Sequence, residues 1–133
     1  MAVLLSGKPV AEHMCRDIRL RCEKLSRRGV TPTLGIVRVG RREEDIAYER
    51  GAIRRAESLN IAVRRFLLPA DASQQELIQT LRTVNEDSSI HGCLLFRPLP
   101  PMEAVVMASM SFSGARTLVT ASVSRWGGRG RKA

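Results

Sequence analysis

"TPTLGIVRVG", residues 31–40, decides the fold. Between Pro32 and Gly40 the residues are mostly apolar and β-branched, which reads as a buried strand. Apolar residues occupy both alternating faces. A strand of that kind is covered on both sides, as in a parallel sheet between two layers of helix.

The flanking segments supply those helices. Upstream, Val10, Met14, Ile18, Cys22 and Leu25 recur at helical spacing between Val10 and Arg28, and Gly29 is a stop signal. Downstream, a second helix is expected from Arg41 to about Asn60, then a strand at "IAVRRFLLP", residues 61–69. "DASQQELIQTLRTVNED" follows, where Ser73 and Glu76 have capping-box spacing ahead of Leu77, Ile78, Leu81 and Val84. "IHGCLLFRPLP", residues 90–100, is a third strand that ends at Pro98. Three strands alternating with three helices predict an α/β fold, a three-layer parallel sheet with helices on both faces.

In such sheets ligands bind beyond the carboxyl ends of the strands. The segments of interest are therefore "RVGRREED", "LPADAS" and "FRPLPP". The first has one glycine and neither GxGxxG nor Gly-Lys-Ser, so it reads as a plain strand-to-helix turn. The last contains Pro98, Pro100 and Pro101, which fix φ and carry the chain out of the strand as a rigid wall.

Between them lies "AYERGAIRRA", residues 47–56. On a helical wheel Ile46, Ile53, Ala56 and Leu59 share the buried half, and Tyr48 falls at its edge with Ala52 one turn on. Gly51 and Ala52 leave room beside the phenol. Gly51 also costs the helix about 1 kcal/mol relative to alanine.

With 133 residues the chain is expected to hold one domain, residues 1–101, followed by a tail at 102–133. That tail, "MEAVVMASMSFSGARTLVTASVSRWGGRGRKA", loses the helix–strand rhythm and reads as irregular and basic, with a flexible end. A net charge of +9 admits polyanionic partners, including nucleic acid, but aromatics are only 4% and do not alternate with the arginines as stacking platforms do. Nucleic-acid binding is therefore the lesser reading. Cys15, Cys22 and Cys93 lack CxxC spacing, and His13 and His91 lack partners at ligand spacing, so no metal site is expected. No apolar run is long enough to span a membrane, and no signal peptide precedes the first helix, so the expected compartment is a reducing cytoplasm.

"GKPVAE", "PTLGIVRVG", a tyrosine in the next helix, "LP" before a Gln/Glu-rich helix, "VNEDSSIHGCLL" and "PLP" occur in one order, over about residues 4–101. In this the chain resembles the bifunctional methylenetetrahydrofolate dehydrogenase/cyclohydrolase family. The resemblance implies an amino-terminal folate-side lobe and a carboxy-terminal Rossmann lobe for NADP or NAD. It also implies oxidation of 5,10-methylenetetrahydrofolate and hydrolysis of the methenyl product to 10-formyltetrahydrofolate. Tyr48 matches the family's folate-lining tyrosine; Leu95, Phe96 and Arg97 match the strand-end segment beside the pterin, and Pro98, Leu99 and Pro100 match the proline wall. The family's homodimer is not carried over to this chain.

Two departures fall on one pair. The family lysine one turn after the tyrosine is Ala52 here, and the strand-end glutamine is Phe96. An amine at position 52 would reach the reacting carbon and transfer protons, a task for which the permanently charged Arg54 and Arg55 are unsuited. No "KDVDG"-like segment follows the prolines, but "ARTLVTA", residues 115–121, is close to what that motif gives when read one base out of frame. The tail is therefore expected to be a frameshifted or truncated remnant, leaving this chain without a dinucleotide site and inactive alone. Folate binding without catalysis is the alternative.

Overall fold

A computed structural model describes residues 2–97 and the strand at 118–122. Three helices, α1 (Lys8–Arg27), α2 (Glu43–Ser58) and α3 (Gln74–Glu86), alternate with strands β1 (Thr33–Val39), β2 (Ala62–Leu68) and β3 (Gly92–Arg97). Strand β4 (Leu118–Ser122) completes a sheet of order β2-β1-β3-β4. Every pairing is parallel: β1 runs from Thr33↔Ala62 to Val39↔Leu68 along β2, and from Leu34↔Gly92 to Val37↔Leu95 along β3.

The helix ends follow from local chemistry. Gly29, at φ 76°, lets the Val30 and Gly29 amides donate back to the Leu25 and Ser26 carbonyls, closing α1 with a Schellman motif. Asn60, at φ 60°, does the same for α2, with Ile61 and Asn60 donating to Ala56 and Glu57. Each helix therefore stops abruptly ahead of the next strand. The capping box of α3 is complete: Ser73 Oγ accepts from the Glu76 amide, and Glu76 Oε2 accepts from the Ser73 amide.

Strand alternation sorts the side chains into two faces. One face of β1 and β3 gives Val37, Cys93 and Leu95 to a core with Leu77, Leu81, Val84 and Ile90, and Val39, Phe66, Leu68 and Ile78 pack around it. Gly35 belongs to this face, because a Cβ there would meet Val84 and Ile90 at 3.4 Å. Burial pushes the Cys93 thiol up to about 11, leaving an inert core residue. The opposite face carries Ile36, Arg38 and Phe96 beneath α2.

Three expectations need correction. The tail is not wholly irregular, since Leu118–Ser122 pairs with β3 from Cys93↔Leu118 to Arg97↔Ser122. The run "LVTAS" has the β-branched character of a strand, which the surrounding small residues obscured. Of the four residues expected on the buried half of α2, Ala56 and Leu59 are buried, but Ile46 and Ile53 are half-buried and Asp45 and Glu49 take the deeper places. Charged side chains can occupy that face because each meets a guanidinium, Glu49 that of buried Arg38 and Asp45 that of Arg42 at the surface. Likewise, the apolar stripe of α1 is covered only at its carboxyl half, with Cys22 buried and Val10 and Met14 exposed. The expected flexible basic end lies outside the described residues.

Candidate functional site

The carboxyl end of the sheet beneath α2 is built from two pairs of side chains. Tyr48 and Glu49 are consecutive on α2, so they diverge by about 100° around the helix. Tyr48 reaches β3 and Glu49 reaches β1. The Tyr48 ring stands edge-on to Phe96, with centroids 5.3 Å apart and planes at 83°. That geometry sets the positive ring edge against a negative ring face. Phe96 is 2% exposed and Tyr48 47%, so the phenylalanine is floor and the tyrosine is a wall open to solvent.

Glu49 Oε2 accepts from Arg38 Nε at 2.8 Å, and both side chains are buried. Arg38 Nη1 also donates to the Gly40 carbonyl, tying the strand end to the turn before α2. Gly40 sits at φ 84°, and its amide donates to the Leu68 carbonyl at 2.9 Å. Arg65 of β2 forms an ion pair with the other carboxylate oxygen at 3.6 Å, too long for a hydrogen bond. At the head of α2, Arg42 grips Asp45 through both carboxylate oxygens at 2.8 and 2.9 Å. That hydrogen bond raises the Arg42 pKa further and keeps the guanidinium charged.

The other expected site residues are distributed by strand geometry. Ala52 is half-buried on the face that carries Asp45, Glu49 and Ala56, one turn from Tyr48. Gly51 opens outward, with nothing within 4 Å of where its Cβ would be. Leu95 is fully buried in the α3-side core, because alternation along β3 turns it away from Phe96. Arg97 ends β3. Pro98, Leu99 and Pro100 lie outside the described residues. A shallow groove at the end of β2, lined by Leu67, Leu68, Pro69, Ser73, Gln75, Glu76, Gln79 and Thr80, does not include Tyr48.

Sequence reasoning missed Arg38 and Glu49. One signal was available: an arginine in a strand buried on both faces has no water to meet, so it requires an acidic partner within the fold.

Neither strand-to-helix turn among the described residues suits a dinucleotide. The turn before α2 is followed by Glu43, Glu44 and Asp45, whose charges oppose a pyrophosphate. In the turn before α3 the Ser73 and Glu76 amides are already taken by the capping box. His91 is structural, its Nδ1 accepting from the Thr33 amide at 3.1 Å. Among the described residues no three His, Cys, Asp or Glu side chains gather as metal ligands, and no helix is long and apolar enough to cross a membrane.

Known proteins match this architecture. Bifunctional protein FolD of Alkaliphilus oremlandii is 44% identical over 100 residues, which are 75% of this chain and 35% of that protein. FolD of Clostridioides difficile is 40% identical over 97 residues, or 73% and 34%. The chain thus spans about a third of the length of the curated relatives it matches. Among solved structures, the bifunctional FolD methylenetetrahydrofolate dehydrogenase/cyclohydrolase of Campylobacter jejuni superposes with a TM-score of 0.76 at 25% identity, covering 80% of this chain and 39% of that one. The Trypanosoma brucei enzyme, solved with NADP and an inhibitor, gives 0.74 at 25% identity, covering 81% and 38%. A family model described as tetrahydrofolate dehydrogenase/cyclohydrolase, catalytic domain, matches residues 5–112, and the chain belongs to that family.

Proposed function

We propose that this chain is the folate-side lobe of a one-carbon folate enzyme, and that Tyr48 lines the pocket for a reduced folate. The observation that carries the reading is the half-exposed Tyr48 ring held edge-on over Phe96 at the carboxyl end of a parallel sheet. This is where α/β sheets bind ligands. In this reading the phenol offers a hydrogen bond to the pterin, and Phe96, near the end of β3, lies beneath its flat face.

The family reactions are oxidation of 5,10-methylenetetrahydrofolate with NADP and hydrolysis of the methenyl product. NADP does not fit the described turns, and no catalytic step is assigned through it. Proton transfer for the hydrolysis lacks its usual amine, because Ala52 presents a methyl group where the family carries lysine. The missing amine supports reading the chain as a folate-binding lobe without turnover of its own. The three cysteines are free thiols, in keeping with a reducing cytoplasm.

Titration with 5-formyltetrahydrofolate, a stable reduced folate, tests the proposal. Saturable binding that weakens in Tyr48→Ala is expected. Affinity for nucleic acid with a steep salt dependence, and none for the folate, would replace it with the rival reading.

A further inference from the structure

Why should a helix bury a glutamate at the position next to its functional tyrosine? The register supplies an answer. Val37 pairs with Leu95, so the following residues, Arg38 and Phe96, stand side by side beneath α2. Tyr48 rests on one and Glu49 is bonded to the other. The rotation of α2 about its axis is thus determined at two adjacent points on neighbouring strands.

The two contacts differ in kind. An edge-on aromatic contact tolerates sliding and tilting, whereas a charge-assisted hydrogen bond between buried groups is directional. Glu49 is 2% exposed and Arg38 6%, so water cannot take the place of either partner if the helix turns. Glu49 Oε1 accepts no hydrogen bond among the described residues; its second ion-pair partner, the half-exposed Arg65, stands 3.6 Å away. A carboxylate kept in that state contributes less to stability than an apolar pair of the same shape would. Its value to the fold is therefore directional.

We propose that Glu49, held by Arg38, is the positioning residue of the folate-facing wall, setting the rotation of α2 that places Tyr48 over Phe96. The link from this placement to ligand affinity rests on the function proposed above. The placement itself does not.

The test uses the full chain and two departures from it. Arg38→Met/Glu49→Leu replaces the ion pair with apolar groups of similar size, which sustains packing while removing direction. The chain has one tyrosine, so ring-labelled tyrosine gives a single set of NMR resonances, and Phe96→Leu defines their position when the aromatic contact is lost. The double variant is expected to unfold at a temperature close to that of the parent. Its Tyr48 resonances should move toward those of Phe96→Leu, and its affinity for 5-formyltetrahydrofolate should fall about tenfold.

A stable double variant whose Tyr48 resonances do not move overturns the proposal. Should that variant fail to fold, Glu49→Gln keeps the shape and weakens the clamp. A partial shift of the same resonances then supports the positioning role, and an unmoved signal overturns it. If the parent chain binds no folate, the proposed function falls, while the ligand-free resonances still decide the role of Glu49.

Discussion

The two faces of the sheet are built on different principles. Toward α3 the contacts are apolar and interchangeable: Leu77, Leu81, Val84, Ile90 and Leu95 exclude water, and no hydrogen bond between side chains sets their orientation. Toward α2 a comparable depth of burial holds an arginine, two carboxylates and Phe96, with the half-exposed Tyr48 ring against it. Non-directional burial suits a surface that only has to cohere. Where a side chain must stand at a given angle to a ligand, directional contacts are worth their desolvation.

Removing one member of the buried pair should expose that contrast most sharply. Glu49→Ala leaves the Arg38 guanidinium without a counter-charge and is expected to cost about 4 kcal/mol, read as a lower urea midpoint at unchanged slope. On the other face Leu77→Ala opens a cavity under α3 and should cost about 3 kcal/mol by the same measurement. If the apolar truncation proves the more damaging, the polar face carries less than its burial suggests.

Smaller perturbations separate placement from stability. Tyr48→Phe keeps the ring over Phe96 and removes only the hydroxyl, so 5-formyltetrahydrofolate affinity should drop by about 1 kcal/mol in calorimetry. Its melting temperature should stay near that of the parent, because Tyr48 is half in solvent. Gly51→Ala should raise stability by about 0.5–1 kcal/mol: the glycine is helical and open space surrounds its missing Cβ.

The least effect is expected far from both faces. Asp87 accepts from the Ser89 hydroxyl and amide and then from Arg64, which lowers its pKa from 3.8 to about 2. The unfolded chain therefore binds the proton more readily. The contribution of Asp87 is complete above pH ~4 and is lost as pH falls toward about 2. Acid unfolding of Asp87→Asn should be flatter across that window, with little change near neutrality.

Most of the architecture was legible because it rests on signals along the chain. The apolar run at 31–40, the glycine after α1 and the Ser73–Glu76 spacing each name an element without reference to anything distant. The resemblance to the family rested on motifs of the same local kind. What escaped notice depends on which side chains the folded chain brings together. Asp45 and Glu49 look like solvent-facing residues until Arg42 is seen to cover the one and Arg38 to meet the other inside the fold. Leu95 and Phe96, adjacent in sequence and matched to one family segment, are parted by the pleat. The chain also gives no cue that Leu118–Ser122 returns to β3, because parallel pairing requires a crossover that hydropathy does not record.

The position of β1 also governs the order in which the chain assembles. Its pairing with β2 begins only 29 residues downstream, at Thr33↔Ala62, with α2 shortening the span. Its other edge waits for β3, where the bond between Thr33 and His91 crosses 58 residues. Loop-closure entropy therefore favours β1–α2–β2 as the first unit to form, and β3 joins it afterwards. On the ribosome the aromatic floor is thus a late arrival: Tyr48 emerges long before Phe96, and until β3 docks there is nothing for it to rest on.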